Sequence, residues 1–258
     1  MLRHVRERLP QEDIVYLADQ GHVPYGDRSP DELARLLANN VDYLQGCGVD
    51  AIVMGCNTSC AVAAERGWPR ARIPILDLIA AAAGAVADSG ARRVGVLATT
   101  ATTRTGAYGA AIRGLAPLAA VQEQAAPKLV PLVEAGILAG PVVRSAIADA
   151  CAQFTGPLDA LVLACTHYPL LGAEFAAVLG EDVRRIDPAY AQSERAVRFV
   201  RERAEHGGTG HTVYVTTGAL EPYRTAVEAI VGTIRAGDAF AHAPLGLTHG
   251  ARTAEVLR

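Results

Sequence analysis

Two thiols stand at matching places in a repeated pattern. Asp50-Ala51-Ile52-Val53-Met54-Gly55 leads to Cys56-Asn57-Thr58, and Asp159-Ala160-Leu161-Val162-Leu163-Ala164 leads to Cys165-Thr166-His167. Each aspartate opens an apolar run of strand character, and each run stops at a cysteine followed by small polar groups. A thiol titrates at about pH 8.5, close enough to neutrality to be tuned to give or take a proton there. Reversible inversion at a carbon acid needs two such groups, one on each face of the stereocentre, with positioned donors for the carbanion between them. Cysteine is also among the most buried residue types, so a single Cys at a strand end reads first as packing. The duplication is what points to chemistry.

The neighbours of the two thiols fit a polar pocket. Asn57, Thr58, Thr166 and His167 are hydrogen-bonding groups suited to gripping a carboxylate or an ammonium. Cys60 lies one helical turn past Cys56, but Cys-x-x-x-Cys is not a usual zinc spacing and no fourth ligand accompanies His167, so no metal is expected. Cys47 and Cys151 read as core or boundary residues. Ala98-Thr99-Thr100-Ala101-Thr102-Thr103 closes a strand and opens a helix, either as a simple N-cap or as an anion site. Asp19 ends another strand-like run and is followed by Val23-Pro24-Tyr25-Gly26, which reads either as an ordinary turn or as a pocket wall.

These residues must be carried by α/β layers. Apolar runs at Ile14–Ala18, Ala51–Met54, Ile73–Leu76, Val94–Ala98, Leu161–Ala164, Val183–Ile186 and Thr212–Thr216 predict strands. Helical segments alternate with them, as in βαβ units around parallel sheets. The best marked helix starts where Ser29 caps, Pro30 takes the first position and Glu32 completes a capping box, and it ends at Gly46 or Gly48. Further helices are predicted at about Thr58–Arg66, Leu78–Ser89, Arg104–Arg113, Val142–Phe154, Leu170–Leu179, Tyr190–Glu205 and Glu221–Val231. The residues from about Leu247 look polar and frayed.

Composition narrows the partners. The chain has 258 residues, half of them hydrophobic and only 5% aromatic, so its core must be built from Ala, Val, Leu and Ile. A net charge of −3 with no basic block argues against nucleic acid and leaves a small-molecule partner. No run approaches the roughly 18 apolar residues of a membrane span. The N-terminus is charged from Arg3 onward, unlike a signal peptide. Five cysteines, an odd number at no scaffold spacing, fit thiols in a reducing compartment, and a cytoplasmic location is expected.

Several motifs in order resemble glutamate racemase, of the cofactor-independent aspartate/glutamate racemase superfamily. They are Leu9-Pro10-x-Glu12-Asp13-Ile14, Val23-Pro24-Tyr25-Gly26, Cys56-Asn57-Thr58, Thr99-x-Ala101-Thr102-x-x-x-Gly106-Ala107-Tyr108, Val130-Pro131-Leu132-Val133-Glu134 and Cys165-Thr166-His167-Tyr168-Pro169-Leu170-Leu171. By this resemblance Cys56 and Cys165 match the two proton donor/acceptors, and His167 matches a histidine that assists its neighbouring cysteine. Tyr25, Gly26, Asn57, Thr58, Thr166 and His167 match substrate-binding positions, with Thr99, Thr102 and Glu134 near the pocket.

The resemblance also implies an architecture of two pseudo-symmetric α/β domains with mainly parallel sheets, and an active site in the cleft between them. The first domain is expected at 1–78 plus 190–258 and the second at 79–189. No metal, pyridoxal phosphate or nucleotide is implied, and the implied assembly is a homodimer acting on glutamate to supply peptidoglycan synthesis. A racemase of aspartate or another small amino acid, and a catalytically silent binding homologue, are the alternatives. One departure stands at the start: family members open with a strand and a Phe-Asp-Ser-Gly-x-Gly-Gly turn, whereas Met1–Pro10 matches the helix that follows it. A reading frame started at an internal valine codon, or a truly shortened protein, would account for this.

Overall fold

The computed structural model describes residues 1–26, 28–203 and 207–243. The predicted frayed end from about Leu247, and Glu205 at the end of a predicted helix, lie outside these. Within the described residues the chain begins with helix α1 (Leu2–Arg8), strand β1 (Ile14–Ala18), helix α2 (Pro30–Gly46), strand β2 (Ile52–Val53), helix α3 (Asn57–Arg66), strand β3 (Ile75–Leu76) and helix α4 (Leu78–Ser89). Strand β4 (Arg93–Ala98), helices α5 (Thr100–Thr105) and α6 (Ala107–Leu115), strand β5 (Ala120–Ala125), helices α7 (Leu129–Glu134) and α8 (Pro141–Cys151), and strand β6 (Ala160–Ala164) follow. The rest is helix α9 (Gly172–Leu179), strand β7 (Arg184–Ile186), helix α10 (Pro188–Arg201), strand β8 (Thr212–Thr216), helix α11 (Leu220–Val231) and strand β9 (Ala239–His242).

The chain divides into two compact units. One comprises Met1–Val53, Trp68–Leu76 and Ser193–Arg258; the other comprises Met54–Gly67 and Asp77–Gln192. The segment Met54–Gly67, expected in the first domain, therefore clusters with the second unit and takes Cys56 with it.

In the first unit β1, β8 and β9 form a parallel sheet in the order β1-β8-β9, and β2 pairs with β3 as a separate parallel ribbon. Helix α2 begins as its sequence dictates: the Ser29 side chain accepts from the Glu32 amide with Pro30 at the first position. Its stripe of Leu33, Leu36, Leu37 and Val41 is buried. That spacing is the period of an amphipathic helix.

In the second unit four strands run parallel in the order β5-β4-β6-β7. Every residue of β6 is buried, and in β4 only Arg93 is exposed. Such continuous apolar strands are what a parallel sheet covered on both faces requires. Beneath the sheet a core forms around Leu97, Leu129, Val143, Ile147, Leu161, Tyr168 and Phe175. Strand β5, Ala-Val-Gln-Glu-Gln-Ala, carries no apolar run because it lies at the sheet edge, where a polar face is tolerated. The helix expected over Arg104–Arg113 is instead two helices. Gly106 sits in the left-handed conformation (φ 63°), which closes α5 and starts α6.

Candidate active site

The second unit holds Cys165, Thr166 and His167 after the end of β6, and Cys56, Asn57 and Thr58 at the start of α3. Parallel sheets bind ligands outside the carboxyl ends of their strands, at the point where successive connections leave in opposite directions. Here that point lies between neighbouring β4 and β6, whose last residues, Ala98 and Ala164, are register partners. Thr99 follows one strand and Cys165 the other.

Cys165 is buried, and burial first, with the nearby charge of Cys56 and Glu134, pushes its thiol up to about 11. The backbone amides of His167 and Tyr168 donate toward the sulfur and oppose that rise. Nδ1 of His167 lies 3.7 Å from the same sulfur, while Nε2 meets the Glu134 carboxylate. Thr166 Oγ1 lies 3.4 Å from Nδ1. Glu134 is the last residue of α7, a short helix that the sequence pattern alone did not mark.

Cys56 is the N-cap residue of α3 in extended conformation, and its carbonyl accepts from the Cys60 amide. Asn57 and Thr58 follow as the first helical residues, so their amides belong to the helix end that has no partners of its own. Asn57 Oδ1 accepts from the hydroxyl of Tyr108, a fully buried residue whose burial keeps it protonated and therefore a donor. Thr58 Oγ1 lies 3.3 Å from both Thr99 Oγ1 and Thr102 Oγ1, which are 3.0 Å from each other. Thr99 is indeed an N-cap, accepting from the Thr102 amide, and its hydroxyl belongs at the same time to this cluster.

Cys56, Asn57, Thr58, Thr99, Thr102, Glu134, Cys165, Thr166 and His167 thus all belong to one unit. Tyr25 and Gly26 belong to the other. Cys60 turns away from a ligand role: its thiol is almost wholly buried, pushed well up by that burial, and bonded to Asp77. No disulfide links any of the five cysteines. Tyr168 was matched only as part of a motif, yet its hydroxyl donates to the carbonyls of Ala98 (3.1 Å) and Ala126 (3.0 Å) and so fixes the turn that follows Cys165.

A family model described as Asp/Glu/Hydantoin racemase matches residues 1–196. The glutamate racemase of Desulforudis audaxviator is 36% identical over 248 residues, covering 90% of this chain and 89% of that one. Among solved structures, glutamate racemase from Thermus thermophilus in complex with beta-chloro-D-alanine matches with a TM-score of 0.81 at 30% identity, over 96% of this chain and 93% of that one. Glutamate racemase from Francisella tularensis in complex with D-glutamate matches with a TM-score of 0.81 at 26% identity, over 95% and 92%.

Proposed function

The chain belongs to the Asp/Glu/hydantoin racemase family of isomerases, and from that premise we propose that it interconverts L- and D-glutamate by proton transfer between Cys56 and Cys165. The observation that carries this reading is the pairing of the two thiols in one unit. They are near enough for the charge of Cys56 to act on Cys165, and hydrogen-bonding side chains follow each. Support for glutamate comes from the relatives, one of which was crystallised with D-glutamate.

The chemistry balances without a cofactor. One cysteine, as thiolate, takes the Cα proton, and the electron pair of the broken C–H bond is left as a carbanion delocalised into the adjoining carboxylate. The other cysteine, as thiol, then delivers its proton to the opposite face. Thiol and thiolate have exchanged places, and the reverse reaction restores them. Burial keeps Cys165 protonated at neutral pH and so ready to donate. When the direction reverses, His167 beside it, held by Glu134, assists proton removal. Asn57, Thr58 and Thr166, together with Tyr25 and Gly26, are read as the groups that bind substrate. We read the enzyme as a cytoplasmic homodimer whose D-glutamate serves peptidoglycan synthesis.

Chiral chromatography of the purified protein with L- and D-glutamate in D2O tests the reaction. Both enantiomers should equilibrate with deuterium entering at Cα, and Cys56→Ala and Cys165→Ala should each abolish turnover. If neither glutamate nor aspartate is interconverted, the racemase reading fails; conversion of aspartate alone moves the assignment to that substrate. Substantial racemisation by either mutant would sink the two-thiol mechanism. Depleting the protein from its host should make growth depend on supplied D-glutamate.

A further inference from the structure

The first unit carries its own polar cluster at the carboxyl ends of β1 and β8, around Asp19. Asp19 follows β1, and its side chain is only 7% exposed. Its Oδ1 accepts from Thr217 Oγ1 at 2.6 Å and lies 2.7 Å from Nδ1 of His22, while Oδ2 accepts from the hydroxyl of Tyr25. Burial alone would raise this carboxyl, but the hydrogen bonds from Thr217, Tyr25 and His22 together outweigh it and hold the group below its ordinary range. The group is therefore a carboxylate at neutral pH, the form that accepts strongly.

The surrounding bonds make this a built device. Thr217, the residue after β8, donates its own amide to the Ala18 carbonyl (3.2 Å), and its hydroxyl accepts from the Gly21 amide (2.9 Å). Thr216 donates its hydroxyl to Gln20 Oε1. Gly218 is pressed so closely that a Cβ there would stand 2.9 Å from Gln20 Cβ, so the two strand ends are locked side by side. On the other side Asn40 of α2 donates to the Tyr25 hydroxyl at 3.2 Å, and Arg28 Nε donates to the His22 carbonyl. The phenol of Tyr25 donates its one hydrogen bond to Asp19 and accepts one from Asn40.

We infer that Asp19 is a positioning residue, which holds the Val23–Gly26 segment against the sheet by fixing the Tyr25 hydroxyl, so that this segment meets substrate through its backbone and ring rather than through its phenol oxygen. The inference rests on the reading that Tyr25 and Gly26 contact substrate. It adds a residue, Asp19, and a mode of action that the motif Val-Pro-Tyr-Gly does not contain.

Two measurements on the full chain test it, one independent of activity. In Asp19→Asn and Tyr25→Phe, hydrogen–deuterium exchange should accelerate over residues 19–29 by about tenfold, while exchange in β4 and β6 stays at the wild-type rate. For racemisation, KM for glutamate should rise about tenfold in each variant with kcat changed less than about threefold, and the double variant should be no worse than the poorer single one. Unchanged exchange over 19–29 in both variants overturns the inference, as do additive effects in the double variant or a loss confined to kcat. If Asp19→Asn does not fold, Tyr25→Phe, which removes a single oxygen, decides alone on the same two readouts. A wild-type protein that racemises nothing defeats the functional reading, and the exchange measurement still decides whether Asp19 holds the segment.

Discussion

His167 places Nδ1 3.7 Å from the sulfur of Cys165 while its other ring nitrogen meets the carboxylate of Glu134. A carboxylate on Nε2 selects the tautomer with hydrogen there and leaves the Nδ1 lone pair toward the thiol, the orientation a proton acceptor needs. His167→Asn should therefore lower kcat by roughly 10²–10⁴-fold, the usual worth of a positioned acid/base group. Glu134 is largely exposed, so solvent screens its charge, and Glu134→Gln should cost less than His167→Asn. Following racemisation of both enantiomers by circular dichroism checks this; wild-type kcat in His167→Asn would remove the histidine from the mechanism.

The buried thiols should declare themselves by their reactivity. Cys165 and Cys151 are both pushed up to about 11 by burial, and only the thiolate is alkylated. Iodoacetamide labelling of Cys165 in the ligand-free protein should be slow at pH 7 and climb about tenfold per pH unit until the pKa is passed. Peptide mass spectrometry after timed labelling gives each rate. Labelling of Cys165 at pH 7 as fast as an ordinary exposed thiol would contradict its protonated resting state.

The repeated Asp-to-Cys pattern marked two strand-to-helix passages, each with a cysteine and polar neighbours, because strand periodicity and terminal polar residues survive in a one-dimensional reading. Its aspartates proved unlike each other. Asp159 accepts from the amides of Arg92 and Arg93 and pairs with the Arg93 guanidinium, which lowers it to about 2, whereas Asp50 pairs with Arg203. Helix α4 covers the Leu78–Ser89 span expected of it, with Asp77 as its N-cap and Gly90 closing it in the left-handed conformation. What the pattern could not show was set by partners distant in sequence. Strand β5 is polar and exists by pairing with β4, and β9, only Ala-Phe-Ala-His, exists by pairing with β8. The hydroxyl cluster of Thr58, Thr99 and Thr102 and the Asp19 network likewise join residues tens to hundreds of positions apart.

Tyr168 ties the Cys165 turn to the sheet, and its removal should be felt in stability. The side chain is fully buried and its hydroxyl donates to two backbone carbonyls at the ends of β4 and β5. Ala98 O also accepts from the Ala126 amide and Ala126 O from the Leu129 amide, so Tyr168→Phe leaves both carbonyls partnered and removes only the bond of the tyrosine itself. The expected loss is about 0.5–1.5 kcal/mol, the net worth of one hydrogen bond, read from the urea midpoint at unchanged slope. A midpoint equal to that of the wild-type protein would mean that the hydroxyl is dispensable to the turn.

Alkaline pH should weaken the fold through the same burial that protects the thiols. An unfolded cysteine titrates at about pH 8.5, whereas burial pushes folded Cys151 and Cys165 up to about 11, so between those values the native state holds more protons than the unfolded one. Stability then falls as pH rises through this window and is fully present below it. Cys151 packs at the margin of the second unit's core and is not among the residues read as catalytic, which makes it the cleaner probe. Cys151→Ala loses some apolar contact, so at pH 8 it should be modestly less stable than the wild-type protein. With one titrating group removed, its urea midpoint should drop less between pH 8 and pH 10.5 than the wild-type midpoint does. Equal drops in the two proteins would show that Cys151 ionises as easily folded as unfolded, and that burial does not govern its proton.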